Sequence, residues 1–168
     1  MLALFIIILV VAADQITKYW ALTLLAPIRS YPIIDGILEF HFVRNRGAAW
    51  GMLADSRWIF MTVSAVAIIL MLVCLFCSKE SGRLFRISLA MIIGGGIGNM
   101  IDRLFYTDGA VVDFIYFKLI DFPVFNVADC AVTVGAVLLV LWLITDIISQ
   151  EKSKKSKDSA DGKTDNMQ

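Results

Sequence analysis

The sequence predicts an integral membrane protein that is mainly α-helical, with four transmembrane helices and short strands at the outer surface. Its 168 residues are 59% hydrophobic, and their mean hydropathy is +0.79. Soluble domains are typically about 45–50% apolar. Four stretches are apolar enough and long enough to cross a hydrocarbon core of about 30 Å. Several acidic residues lie at and between the ends of the last two stretches. Such positions are unusual, because apolar surroundings normally exclude unpaired charges.

The four predicted spans are residues 2–24, 58–77, 87–104 and 126–148. The third span contains Gly94 and Gly98, two small residues at a spacing that lets helices approach closely. The first span carries Asp14 and Lys18, which are four residues apart and therefore share one helical face. These two side chains either neutralise each other as an ion pair or form a polar face directed into the bundle.

Two longer segments, residues 26–57 and 105–125, connect the spans on one side of the membrane. Partial alternation and a turn at Asp35-Gly36 predict short strands in the first segment. The second is expected to be an irregular segment closed by a proline. We therefore predict one membrane domain, residues 1–150, and a disordered polar tail, residues 151–168.

The distribution of Lys and Arg predicts that both termini are cytoplasmic. The 78–86 loop holds three basic residues in nine and the tail holds five in eighteen, whereas the two opposite segments hold five in 53. Basic residues concentrate on the cytoplasmic side of multi-pass proteins. In this orientation the embedded acids of the first, third and fourth spans converge near the outer surface. The sequence thus predicts a polar site near the outer surface of the membrane.

A pair of carboxylates at this level can hydrolyse a peptide bond. Two close carboxylates share one proton, so the ionised acid can activate a water while the protonated acid polarises a carbonyl. The residues favour Asp113, which has no adjacent cation, and Asp129, which follows Asn126 at a helix start. Capping of that helix is the alternative role for Asn126 and Asp129. Asp102 precedes Arg103 and is interpreted as paired or structural.

Several other chemistries are disfavoured. The net charge of zero and the lack of a basic groove indicate no nucleic-acid partner. The single histidine, His41, cannot build a metal site alone, and Cys74 and Cys77 lie in an apolar run. We expect no metal and no cofactor.

Two hypotheses from other classes compete with a hydrolase. The first is a small proton-coupled transporter that uses Asp14, Asp102 and Asp129 as a relay. It predicts acids at several depths and an inverted repeat, which the sequence does not show. The second is a structural membrane subunit whose acids only cap helices and form ion pairs.

Five motifs occur in order along the chain: Asp14-Gln-Ile-Thr-Lys18, Asn45-Arg-Gly-Ala-Ala-Trp50, Gly98-Asn-Met-Ile-Asp-Arg103, Val111-Val-Asp-Phe114 and Phe125-Asn-Val-Ala-Asp129. Together they resemble the motifs of lipoprotein signal peptidase, the type II signal peptidase of bacteria. The resemblance implies a four-helix aspartic endopeptidase of the cytoplasmic membrane. Such an enzyme removes the signal peptide of a prolipoprotein by cutting before a diacylglyceryl-modified cysteine.

Carried over by position, the resemblance implies that Asp113 and Asp129 are the catalytic pair. The family's polar positions around the site correspond to Asp14, Lys18, Asn45, Asn99, Arg103 and Asn126. Asn45 and Arg103 would contact the substrate backbone or the cyclic peptide antibiotic globomycin. Residues 31–57 would form an outer β-cradle, and residues 105–122 a small outer helix and a loop over the site.

The expected partners are lipid-modified prolipoproteins and membrane lipids, and the chain is expected to act as a monomer. The sequence departs from the family at its start, because no basic residue precedes the first span.

Overall fold

The computed structural model describes residues 1–47, 57–78 and 82–164. Within these residues four helices are long and apolar enough to cross a membrane: Leu2–Leu25, Arg57–Cys77, Arg83–Phe105 and Val127–Lys152. The predicted four-helix membrane architecture is thereby confirmed. The last three residues of the motif Asn45–Trp50, and residue Lys79 of the predicted 78–86 loop, lie outside the described residues.

The helices and strands are as follows. Helix α1 (Leu2–Trp20) continues as one π-helical turn (Ala21–Leu25), α2 is Arg57–Cys77, α3 is Arg83–Phe105 and α4 is Val127–Thr164. The outer segments form strands β1 (Ser30–Ile34), β2 (Leu38–Asn45) and β3 (Val111–Phe117), followed by a 3-10 turn (Lys118–Ile120).

Helix α3 lies at the centre of the bundle, because glycines let its neighbours approach. A Cβ on Gly95 would collide with the carbonyl oxygen of Ala128 in α4. A Cβ on Gly94 would lie 2.9 Å from the Cβ of Val10 in α1. Real Cβ atoms do not come this close to other atoms. Helices α1 and α4 can therefore lie in their positions only because α3 has glycine, without a side chain, at these two points.

Two apolar clusters hold the fold together. One lies within the bundle and consists of Ile7, Ile68, Leu75, Leu89, Ala90 and Ile93. The other lies between the π-helical turn and the sheet and consists of Ala21, Leu25, Phe42, Val112 and Phe114. The second cluster attaches the outer sheet to the end of α1, so the sheet is not a separate domain.

The three strands form one antiparallel sheet in the order β1-β2-β3. The small outer sheet is confirmed, but its composition differs from the prediction. Residues 105–122 were expected to form a small outer helix and a loop. They contain a short 3-10 helix, Lys118–Ile120, but residues 111–117 form strand β3, which was not predicted. Residues 111–114 are all buried, so this strand is covered on both faces and lacks the alternation that reveals a half-exposed strand.

The end of the outer segment returns to β3. Phe125 forms an antiparallel bridge with Ile115, and the backbone N–H groups of Phe114 and Ile115 donate to its carbonyl oxygen. Helix α4 begins two residues after Phe125. This bridge therefore brings the first turn of α4 beside the middle of β3.

Helix α4 is longer than predicted. The sequence predicted a span that ends near residue 148 and a disordered tail from Glu151, whereas the helix continues to Thr164. The tail contains no proline, and five of its residues are lysines, which favour helix. Extending an existing helix adds a hydrogen bond for each residue without the cost of nucleation.

Alanine substitutions at adjacent glycines of α3 test this packing. Gly95→Ala is expected to lower the free energy of unfolding by about 1–3 kcal/mol, because the new methyl group meets rigid backbone of α4. Gly96→Ala is the matched control: its Cβ would meet only the end of the Ile68 side chain, at 3.2 Å. Because alanine favours helix by about 1 kcal/mol over glycine, this control should be neutral or stabilising. Thermal unfolding in detergent micelles measures both, and equal effects would contradict the packing.

Candidate active site

A cavity of about 390 Å³ lies where the end of α3, the start of α4 and the sheet meet. Five of the eight predicted site residues line it: Asn45, Asn99, Arg103, Asp113 and Asp129. The rest of the lining is Gly47, Val111 and the chain segment Phe122, Pro123, Val124 and Phe125. Polar side chains from three distant parts of the sequence are thus brought to one apolar-walled cavity.

Asp113 reaches the cavity from strand β3 and is only 2% exposed. Its Oδ2 accepts a hydrogen bond from Asn45 Nδ2 at 2.9 Å, and its Oδ1 accepts one from Asn126 Nδ2 at 2.6 Å. The contact with Asn45 follows from the register, in which Asn45 pairs with Val111, two residues away on the same face. Burial, reinforced by the charge of Asp129, raises the pKa of Asp113 to about 7.

Asp129 reaches the cavity from the first turn of α4. Its Oδ2 accepts the backbone N–H of Asn126 at 3.1 Å, and Asn126 Oδ1 accepts the backbone N–H of Asp129 at 3.0 Å. These reciprocal bonds are the capping contacts considered from the sequence. Asp129 Oδ1 also accepts a hydrogen bond from Asn99 Nδ2 at 2.8 Å. The same carboxylate therefore caps α4 and faces the cavity.

Two amides connect the carboxylates. Asn126 is fully buried, and its Nδ2 lies within hydrogen-bond distance of both Asp113 Oδ1 and Asn99 Oδ1, the latter at 3.0 Å. Asn99 in turn donates to Asp129. An amide both donates and accepts, so Asp113 and Asp129 belong to one continuous hydrogen-bond network.

Asp14 and Lys18 lie behind the cavity and do not line it. The Lys18 ammonium forms ion pairs with Asp14 at 2.9 Å and with Asp102 at 3.2 Å. It also donates to Asn99 Oδ1 at 2.9 Å. All three ionic side chains are at most 1% exposed. The ion pair expected within α1 is therefore present, and it also points into the bundle.

Two members of this network are absent from the predicted site. Asp102, interpreted from the sequence as paired or structural, is paired with Lys18. Gln15 Nε2 lies within hydrogen-bond distance of Asp14 Oδ2, Asp102 Oδ1 and the carbonyl oxygen of Gly98, at 3.1–3.2 Å. Both are polar residues inside apolar spans, and each directly adjoins a residue of the predicted site. That position is the signal by which the sequence could have identified them.

Arg103 supplies a positive charge at the edge of the cavity. Its guanidinium lies 5.0 Å from the centre of the Phe60 ring and donates to the carbonyl oxygen of Gly47 at 3.5 Å. The half-buried guanidinium retains donors that can reach a ligand in the cavity.

Three further acids of the third and fourth spans and of the segment between them lie away from the cavity. Asp108 pairs with Arg44, Asp121 accepts a hydrogen bond from Tyr116, and Asp146 accepts one from Gln150. In the described parts of the chain, no group of three or more His, Cys, Asp or Glu side chains is arranged to hold a metal ion.

The fold and the site together define a multi-pass membrane protein with two linked carboxylates in a cavity. A family model described as signal peptidase (SPase) II matches residues 6–145. The chain is 40% identical over 144 residues to the lipoprotein signal peptidase of Clostridium tetani, covering 84% of this chain and 91% of that protein. It is 45% identical over 139 residues to the lipoprotein signal peptidase of Caldanaerobacter subterraneus, covering 82% and 92%.

The fold of the chain is also similar to that of a solved membrane enzyme. A bacterial membrane enzyme determined by the in meso method at 2.3 Å resolution superposes with a TM-score of 0.78 at 32% identity, covering 86% of this chain and 88% of that chain. The chain belongs to the signal peptidase II family of lipoprotein signal peptidases. It is a membrane peptidase that removes signal peptides from prolipoproteins.

The raised pKa of Asp113 predicts a pH dependence of stability. The carboxyl binds its proton with a pKa of about 7 in the folded chain and 3.8 in the unfolded chain. Between these values the folded state holds more protons, so its stability falls as pH rises. The melting temperature in detergent should therefore decline from pH 5 to pH 8, and Asp113→Asn should decline less.

Asp108→Asn is the control for this experiment. Hydrogen bonding to Arg44 lowers the pKa of Asp108, so its own contribution changes only below about pH 5. This variant should keep the wild-type slope between pH 5 and pH 8. A slope that Asp113→Asn leaves unchanged would show that Asp113 does not titrate in this range.

Proposed function

We propose that the chain cleaves diacylglyceryl-modified prolipoproteins immediately before the lipidated cysteine, with Asp113 and Asp129 as the catalytic residues of an aspartic mechanism. The observation that carries the proposal is that these two carboxylates face one cavity and are joined through Asn126 and Asn99. We also propose that the enzyme acts as a monomer, because the described residues of one chain supply both carboxylates and both linking amides.

The environments of the two acids suggest different roles. Asp113 is the more buried and has a pKa of about 7, so about half of the molecules carry a proton on it at neutral pH, and in that form it serves as the general acid. Asp129 is half-buried and lies at the positive end of the α4 dipole, which favours a negative charge. It serves as the general base. A pair with this division of roles matches the requirement for hydrolysis without a covalent intermediate.

The reaction then proceeds in two balanced steps. Asp129 takes a proton from a water whose oxygen bonds to the scissile carbonyl carbon, while Asp113 gives its proton to the carbonyl oxygen. In the second step the proton on Asp129 moves to the amide nitrogen and the C–N bond breaks. Asp113 recovers a proton from one hydroxyl of the diol, which leaves a carboxylic acid and restores the initial state of the pair.

The polar lining offers partners for a substrate backbone. A peptide cut at membrane depth loses its helical hydrogen bonds and needs replacements inside the protein. Asn45 and Arg103 line the cavity beside the carboxylates and would supply these partners. Globomycin-like cyclic peptides would compete for the same contacts. The apolar wall from Phe122 to Phe125 would contact side chains of the substrate.

The location of the cavity fits a lipidated substrate. The cavity is built from the end of α3, the start of α4 and the sheet, all on the side opposite the basic 78–86 loop. With the termini in the cytoplasm, the site is near the outer surface of the cytoplasmic membrane. A diacylglyceryl cysteine is anchored at that level, so its own lipid brings the scissile bond to the acids.

Removing either carboxylate should abolish cleavage. Asp113→Asn and Asp129→Asn are each expected to lower the rate on a diacylglyceryl prolipoprotein by about 10²–10⁴-fold, because each removes a proton-transfer group. Asp146→Asn is the matched control, since that acid contacts Gln150 near the opposite end of the membrane span Val127–Lys152. Gel-based cleavage with purified protein measures the rates, and thermal unfolding verifies folding. Full activity in either dyad variant would overturn the assignment.

The proposed acid also predicts a pH profile. Deprotonation of Asp113 removes the general acid, so kcat/KM should fall about tenfold per pH unit above a pKa of about 7. Initial rates at low substrate concentration between pH 6 and pH 9 measure this limb. A rate that stays level through pH 9 would be incompatible with a protonated Asp113.

A further inference from the structure

We infer that Asp14, Lys18 and Asp102 form a clamp that sets the separation of the two catalytic carboxylates. The inference rests on the proposed function, because it takes Asp113 and Asp129 to be the dyad. These three residues do not line the cavity. They act through the backbone of the residues that do, and so they are positioning residues.

Each acid of the clamp accepts a hydrogen bond from the backbone N–H of the residue that directly precedes one dyad residue. Asp14 Oδ1 accepts the backbone N–H of Ala128, the residue before Asp129, at 2.9 Å. Asp102 Oδ2 accepts the backbone N–H of Val112, the residue before Asp113, at 2.9 Å. The two contacts are equivalent, although one acid is on α1 and the other on α3.

Lys18 joins the two halves. Its ammonium lies 2.9 Å from Asp14 Oδ2 and 3.2 Å from Asp102 Oδ2, so one cation draws both carboxylates toward a common point. Gln15 Nε2 lies 3.1 Å from an oxygen of each acid and connects them a second time. The backbone before Asp113 and the backbone before Asp129 are therefore tied to one buried centre.

Burial makes this centre stiff. Asp14, Lys18 and Asp102 are 0%, 1% and 1% exposed, and a buried charge that leaves its partner is strongly penalised. Water does not screen or replace the contacts at such a depth. The distance between the carboxylates of Asp113 and Asp129 is thus set by ion pairs that the substrate does not contact.

The test separates kcat from KM in Asp14→Asn and Asp102→Asn. Each variant leaves Lys18 paired with the remaining acid, so neither creates an isolated buried charge. Because a displacement of about 1 Å at a reacting group can lower a rate about 100-fold, we expect kcat on a diacylglyceryl prolipoprotein to fall about 10- to 100-fold. KM should change less than about twofold, since the residues that line the cavity are intact.

Asp108→Asn is the matched control. Asp108 also accepts a backbone N–H, that of Ala110, and also pairs with a cation, Arg44. The residue that it holds does not adjoin the dyad, so kcat and KM should equal those of the wild type. An equal loss in this variant would show that any acid in the outer segment has the same effect, and would overturn the clamp.

The remaining outcomes are distinguishable. Wild-type kcat in both clamp variants, with Asp113→Asn inactive, would overturn the clamp and leave the proposed function standing. A raised KM with unchanged kcat would assign these residues to substrate binding and would also overturn it. Cleavage by Asp113→Asn would overturn the proposed function itself.

A milder variant decides the matter if neither acid variant folds. Gln15→Met removes the amide between the two acids while leaving the Lys18 ion pairs, and Gln15 is only half-buried. Loss of the amide contacts with the two acids predicts a fall in kcat of about fivefold at unchanged KM. An unchanged kcat in this folded variant would overturn the clamp.

Discussion

The ion pairs of Lys18 with Asp14 and Asp102 are the interaction on which the rest of the bundle depends. All three side chains are almost completely buried, and an isolated charge in such surroundings costs several kcal/mol. Helices α1 and α3 can therefore pack only where these groups meet. Gly98 provides the space, because a Cβ there would lie 2.5 Å from Asp14 Oδ2. Charge and a missing side chain together determine how α1 lies against α3.

The polar network extends from these ion pairs to the cavity without a break. Lys18 donates to Asn99, Asn99 donates to Asp129, and Asn126 lies between Asn99 and Asp113. A buried network in which each polar group has a partner is rigid, whereas a partly satisfied network is costly. The carboxylates are thus held in place before a substrate arrives, as preorganised catalysis requires.

The sequence predicted the parts of this structure that depend on long, simple patterns. Four apolar runs indicated the four spans, and acids in apolar surroundings indicated a polar site that includes Asp113 and Asp129. Strand β3 could not be recognised, because it is covered on both faces and shows no alternation. The tie from Asp102 to the backbone of Val112 is a tertiary contact between segments that no spacing along the chain encodes. The helical continuation of α4 beyond residue 151 was missed because a polar composition also suits a disordered tail.

The most direct measurement of the central claim is mass spectrometry of the products formed when the purified chain is incubated with a diacylglyceryl prolipoprotein. A cavity whose acids lie at the level of the lipid anchor predicts two products: a free signal peptide and a mature chain that begins with the lipidated cysteine. The same precursor without its diacylglyceryl group should be cut far more slowly, because nothing then holds the scissile bond at that depth. Cleavage at another bond, or equal cleavage of both precursors, would contradict the proposed function.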